Sequence, residues 1–161
     1  MEPLDRHIVT LMAKDARMSF NDLGKAVGLS TSAVHQRVKR LEKAGVISGY
    51  RATIDHAAVG LPLTALISVV PFDASAPDDI PDRLADIAQI TSCWSVAGDE
   101  NYVLLIRVGR PQDLEELLAT IRAKGQCSTN TTVVLSTPWE GRTAMLPEVT
   151  SEPKETAPPQ P

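Results

Sequence analysis

The chain has 161 residues, 16 Lys and Arg against 20 Asp and Glu, a formal net charge of −4 and 43% hydrophobic residues, the balance of an ordinary globular protein. No apolar run approaches the roughly 18 residues that cross a bilayer, and Glu2 and Asp5 stand where a secretion signal would be basic and then apolar, so a cytoplasmic location without a membrane partner is expected. Cys93 and Cys127 are too few for a disulfide framework and lie in no CxxC or Cys/His spacing, which predicts reduced structural thiols, no metal and no cofactor.

Residues 1–60 hold 9 of the basic and 6 of the acidic residues, a net +3, which leaves −7 for the rest. Opposite signs in the two parts predict two modules, the basic one facing a polyanion. Leu4, Ile8, Leu11 and Met12 recur at helical spacing behind Pro3, giving a first helix over about 4–14. Ser19 with Asp22 resembles a capping box for a second helix, with Leu23, Ala26 and Val27 inward and Gly28 at its end. Ser30 or Thr31 caps a third, whose stripe is Val34, Val38 and Leu41 and whose stop is Gly45. Two short helices joined by a glycine turn after a third helix form the pattern of a helix-turn-helix; any three-helix bundle is the plain alternative.

The face of the third helix separates the two. At 100° per residue, Ser32, Gln36, Lys39 and Lys43 lie opposite the apolar stripe with Arg40 beside them, and Glu42 is the one acid, off to the side. Hydrogen-bonding side chains early and cations late suit base edges and phosphates respectively. Val46 to Ile54 is β-prone and reads as a strand or small wing, and 57–62, with Gly60 and Pro62, as a hinge.

The second half alternates its elements. Leu63 to Phe72 reads as a strand, Asp78 to Gln89 as a helix with Ile80, Leu84, Ile87 and Ala88 inward, and Ser92 to Ala97 and Tyr102 to Val108 as strands about the turn 98–101. Pro111 opens and Gly125 closes a helix striped by Leu114, Leu117, Leu118 and Ile121, and a last strand spans about Thr129 to Ser136. The order β-α-β-β-α-β is a ferredoxin-like split βαβ unit, so the fold class is α+β. Its helices cover one sheet face; the other, with Trp94, needs cover, so association through that face is expected, with a dimer as the minimum. The Pro- and Glu-rich residues 147–161 read as a disordered tail, leaving domains at 1–60 and 61–146.

The stretch LDRHIVTLMAKDARMSFNDLGKAVGLSTSAVHQRVKRLEKAGVISGYRATID closely resembles the winged helix-turn-helix of the Lrp/AsnC family, the feast/famine regulatory proteins, and VAGDENYVLLIRV resembles the signature of that family's ligand-binding (RAM-type) module. The resemblance covers about residues 3–140. It implies a transcription regulator that binds double-stranded DNA, is dimeric through its C-terminal sheets and often octameric, and in many members binds an amino acid between dimers. The recognition helix of the family falls on Ser30 to Lys43, making Ser32, His35, Gln36, Arg37, Lys39, Arg40 and Lys43 the expected DNA contacts. Arg37 projects nearer the core and either braces the module or meets phosphate from the edge; His35 either contacts DNA or is a plain surface histidine.

A free amino acid needs an acceptor for its ammonium group and donors for its carboxylate. Gly98, Asp99, Glu100, Asn101 and Tyr102 in the hairpin, with Thr129, Thr131 and Thr132 as hydroxyl donors, are the expected effector contacts. The family's hairpin commonly reads Gly-Asp-x-Asp-Tyr, and Asn101 replaces its second acid, removing a charge. The same residues also suit a plain turn and a plain strand.

Two other function classes compete with this one. An architectural protein would coat DNA through phosphates alone, with steep salt dependence on every sequence; the net +3 is modest for that. An enzyme is the other, since this two-module build resembles sirohaem-decarboxylase subunits. His7, His35 and His56 all lie in the first 60 residues, however, and the second half offers no Ser/His/Asp or Cys/His constellation.

Overall fold

Two serine caps set the geometry of the N-terminal unit. In the computed structural model, which describes residues 1–142 apart from 74 and 76, Ser19 accepts the Asp22 N–H and its hydroxyl donates back to the Asp22 carboxylate at 2.6 Å, opening α2 (Phe20–Val27). Ser30 accepts the Ala33 N–H at 3.3 Å and opens α3 (Thr31–Lys43). Each satisfies a donor that a helix start leaves without an intrahelical partner. Before them, α1 (Pro3–Lys14) starts on Pro3, whose missing N–H costs nothing there. The predicted tail, 147–161, lies outside the described residues.

Ile8, Met12, Leu23, Val34, Val38 and Leu41 form the buried core of the three helices. Ala26, expected inward, is exposed, and its place is taken by the buried Gly24. A methyl group on Gly24 would stand 2.6 Å from the Leu29 carbonyl oxygen, so the turn joining α2 to α3 folds directly over a residue with no side chain. Gly28 completes that turn in the left-handed region at φ 72°.

The β-prone segment 46–54 forms no strand, contrary to expectation. Val46 and Ile47 donate to the Leu41 carbonyl, closing α3, and no described segment lies beside the rest to exchange the ladder bonds that a strand requires. Val46, Tyr50 and Ile54 are left about half exposed.

The chain divides into two compact units, 1–52 with 139–142 of the described residues, and Thr53–Pro138. The second holds β1 (Leu63–Pro71), α4 (Ile80–Leu84), β2 (Ile90–Ser95), β3 (Tyr102–Val108), α5 (Pro111–Gly125) and β4 (Cys127–Val134). The sheet order is β2-β3-β1-β4 and every pairing is antiparallel, the arrangement of the expected split βαβ unit. Period-2 alternation sends Ala65, Ile67, Val69, Leu104 and Ile106 into the core beneath α4 and α5, with Ile80, Leu84, Leu117 and Ile121 closing over them.

Helix α5 runs from Pro111 to Gly125 as expected, and β4 covers Cys127–Val134 rather than Thr129 to Ser136; two further boundaries differ more. The first helix of this unit ends at Leu84 rather than Gln89, because Ala85, Ile87 and Ile90 each bond to the carbonyl three residues back, and these tight turns deliver Ile90 to its pairing with Ile106. Ala88 is consequently exposed. β2 starts two residues early and carries a bulge between Ile90 and Ser92, which breaks the simple alternation. Gly125 is the last residue of α5, and Gln126 takes the left-handed conformation at φ 49°; a methyl group on Gly125 would stand 2.7 Å from Cys127 Sγ.

Alanine is ordinarily better than glycine inside a helix by about 1 kcal/mol, but at position 24 the contact with Leu29 reverses the sign. We expect Gly24→Ala to lower stability by about 1–3 kcal/mol, the range for overpacking, measured by urea unfolding. An unchanged midpoint would mean that the turn shifts freely.

Candidate nucleic-acid interface and effector site

Helix α3 turns Val34, Val38 and Leu41 into the core, and that choice alone decides what it shows to solvent. Ser32, Gln36, Lys39, Arg40 and Lys43 are exposed, while His35 and Arg37 are half-buried. Gln36, Lys39 and Lys43 make no hydrogen bond or ion pair among the described residues, so their donors are available. Ser32 shares a hydroxyl contact of 3.2 Å with the Ser30 cap.

The other three expected contacts are engaged within the unit. His35 meets Phe20 of α2 edge-on, with ring centroids 4.9 Å apart, and so packs the two helices of the motif together. Arg37 donates to Glu2 and to Asp5, each at 2.8 Å, and Arg40 donates to Asp5 at 2.8 Å with Glu2 at 3.7 Å. Arg37 is thus tied to α1 within the unit. Arg40, expected as a free cation, is also tied to α1, although its side chain stays 57% exposed.

Asp5 is the residue of this contact that reading along the chain missed. It is 4% exposed and lies on the same helical stripe as Ile8 and Met12, at spacings of three and seven. An acid on an apolar stripe calls for a cationic partner, and that was the available signal; its partners lie 32 and 35 residues away. Burial works against its charge, but hydrogen bonds and positive charge from Arg37 and Arg40 outweigh this and hold the carboxyl below its ordinary value of 3.8.

The expected effector residues are more scattered. Gly98, Asp99 and Asn101 are exposed and Glu100 is half-buried. The turn is held by Val96 N–H to the Asn101 carbonyl at 3.1 Å and Asn101 N–H to the Val69 carbonyl at 3.0 Å. Tyr102 is buried, and its hydroxyl donates to the Asp78 carboxylate. That hydrogen bond, with burial, pushes its pKa up to about 12, so the phenol is a structural anchor and not a free donor.

Val69 pairs with Tyr102 on one side and Thr129 on the other, which places all three in one row across the sheet. Thr129 accepts a hydrogen bond from Arg122 Nε at 2.9 Å. Thr131, opposite Ile67, shares the helix-covered face, whereas Thr132, opposite Leu66, faces the other way. The three threonines therefore do not converge, because strand alternation separates neighbours. Two cavities of this unit lie elsewhere: one of about 270 Å³ between α4 and β2, another of about 470 Å³ between 86–89 and α5. Among the described residues no group of three or more His, Cys, Asp or Glu is placed to hold a metal, and no helix is long and apolar enough to cross a membrane.

The depressed Asp5 pKa carries a definite sign. Its contribution to stability is complete above the ordinary carboxylate value and is lost as pH falls through the lower folded value. We expect acidification from about pH 5 to about pH 3 to lower the urea midpoint of the protein, and Asp5→Asn to reduce that fall. At neutral pH the same substitution is expected to cost about 1.5–3 kcal/mol, the range for hydrogen bonds to charged groups. An unaltered acid profile would remove Asp5 from this role.

Comparison with known proteins agrees with this geometry. Residues 1–42 match the AsnC-type helix-turn-helix domain and residues 64–144 the Lrp/AsnC ligand binding domain. The HTH-type transcriptional regulator LrpA of Mycobacterium tuberculosis is 44% identical over 142 residues, covering 88% of this chain and 95% of that protein. The leucine-responsive regulatory protein of Haemophilus influenzae is 34% identical over 84% of each chain. Among solved structures, a feast or famine regulatory protein of Mycobacterium tuberculosis complexed with L-methionine superposes with a TM-score of 0.88 at 43% identity, covering 90% of this chain and 99% of that one. With both halves matched in the same order, and its relatives regulators and not enzymes, the chain belongs to the Lrp/AsnC family of DNA-binding transcriptional regulators.

Proposed function

We propose that this regulator reads specific sites in double-stranded DNA through the exposed face of α3, and that an amino acid or a related small effector modulates it. The observation that carries the first part is the sorting of that face: Gln36, Lys39 and Lys43 are exposed without partners among the described residues, Asp5 and Glu2 are paired with Arg37 and Arg40, and Glu42 accepts from Tyr50. Ser32 and Gln36, on the amino-terminal half, are the base-edge contacts; Lys39, Lys43 and the outer edge of Arg40 meet phosphate. His35 and Arg37 hold the helix in place and touch DNA at most from the edge.

The methionine complex of the relative supports an amino acid as effector class here. The hairpin residues Gly98, Asp99, Glu100 and Asn101 are its contacts, with Tyr102 and Thr129 holding the turn and strand from beneath and Thr131 and Thr132 on opposite faces of β4. Effector binding between dimers fits a turn that is open in the single chain. Dimerisation itself is assigned to the uncovered sheet face, where Leu66, Val70, Trp94, Val103 and Leu105 lie. Further association of dimers, up to an octamer, repeats the DNA-reading face at fixed spacing. The modules so used are 1–60 and 61–146.

The deciding experiment is fluorescence anisotropy with the duplex upstream of the protein's own gene against a shuffled duplex, at two salt concentrations, with and without pooled amino acids. A preference of about tenfold, or 1.4 kcal/mol, establishes sequence reading, and a shift with the pool establishes an effector. Equal, salt-sensitive binding to both duplexes would turn the reading to an architectural protein. We expect Lys39→Ala to weaken binding on every sequence and Gln36→Ala to alter discrimination between sites; the reverse pattern would overturn the assignment of the face. Leu105→Glu, which puts a charge on the open sheet face, is expected to lower the mass seen by sedimentation, and an unchanged mass would place the dimer contact elsewhere.

A further inference from the structure

The pairing of α3 with α1 does more than join two helices. One Asp5 carboxylate uses both oxygens, Oδ1 accepting from Arg37 and Oδ2 from Arg40, at 2.8 Å each. The two arginines stand one turn apart on α3, where like charges repel, and the carboxylate between them removes that penalty. Arg37 is held by both Asp5 and Glu2 and is 26% exposed. Arg40 is 57% exposed and is gripped at hydrogen-bond distance through one nitrogen alone, so its remaining N–H groups have no partner among the described residues. It neighbours Lys39 and Lys43 on the exposed face.

We propose, resting on the reading of α3 as the DNA-contacting helix, that Asp5 is a positioning residue for DNA binding, which clamps the Arg40 guanidinium so that its free edge is already set to meet a phosphate oxygen. A guanidinium left to rotate would lose side-chain entropy on contact, whereas one held by a carboxylate has lost it on folding. Its planar fork then presents parallel N–H donors to an oxyanion, which a lysine ammonium cannot do. Arg37 is the inner wall of the clamp and Arg40 its outward-facing arm.

This clamp and simple charge counting predict opposite signs. Asp5→Asn removes a negative charge beside the DNA face, so long-range electrostatics alone would tighten binding. If Asp5 positions Arg40, the same substitution weakens it. The test measures anisotropy on the full chain with the upstream and shuffled duplexes across several salt concentrations, at a temperature where circular dichroism reports each variant folded. Asp5→Asn and Arg40→Ala are each expected to weaken binding by about threefold to tenfold on both duplexes, and to reduce the slope of log affinity against log salt by about one. The double variant is expected to bind within a factor of about two of Arg40→Ala, because the two residues act through one contact.

Tighter or unchanged binding by Asp5→Asn, or losses that multiply in the double variant, would overturn the proposal. Should Asp5→Asn fail to fold, Arg40→Lys decides: it keeps the charge and leaves Arg37 to neutralise Asp5, so the clamp predicts weakened binding, and wild-type affinity would sink the idea. Absence of DNA binding by the unaltered protein would instead remove the reading of α3 itself, an outcome distinct from every result in which the wild type binds and the variants do not follow.

Discussion

An ionised carboxylate shielded from water must be met by cations or give up its charge, and the N-terminal unit is organised around that demand. Asp5 sits among the apolar residues of α1 and draws Arg37 and Arg40 of α3 onto itself. To the apolar contacts of the core, which are non-directional, a two-oxygen, two-arginine contact adds a directional one. The pairing thereby ties α1 to one flank of α3, and Phe20 against His35 holds the other.

The C-terminal unit answers a different constraint. A four-stranded sheet covered by helices on one face has a second face to account for. Strand alternation places Leu66, Val70, Val103 and Leu105 there, with Trp94 about half exposed beside them. Thr64, Ser68 and Asn130 interrupt the apolar rows, so the face is mixed in polarity, as surfaces that associate without belonging to a permanent core commonly are.

What could be read along the chain was local. Serine caps, the glycine turn and the stripes Val34-Val38-Leu41 and Leu114-Leu117-Ile121 depend on neighbours within one or two turns, and each appears where its spacing placed it. The helix expected to run to Gln89 stops at Leu84 because pairing of Ile90 with Ile106, sixteen residues on, outweighs a helical pattern that continues to Ile87. Segment 46–54 has strand composition and no strand partner, a case where propensity without pairing decides nothing. Of the candidate site residues, the exposure of Gln36, Lys39 and Lys43 was legible from helical projection. The commitment of Arg37 and Arg40 was hidden, since no local pattern reports a contact across 32 to 35 residues. The engagement of the Tyr102 hydroxyl was hidden for the same reason: its bond to Asp78 spans 24 residues.

Charge counting over residues 1–60 gives +3, but that figure overstates what a polyanion meets as independent cations. Two arginines are neutralised at short range by Asp5 and Glu2, which leaves Lys39 and Lys43 as the unpaired cations of α3 among the described residues. Each phosphate contact releases about one counterion, so the proposed footprint of two lysines and one clamped arginine would give a single copy weak, salt-sensitive binding. Strong binding must then come either from base contacts by Ser32 and Gln36 or from repetition of the footprint on a shared assembly, where a second contact forms at high effective concentration. On the second route, if the proposed assembly forms, each module stays weak and assembly sets the affinity, and a ligand that altered assembly would alter occupancy of DNA without touching α3.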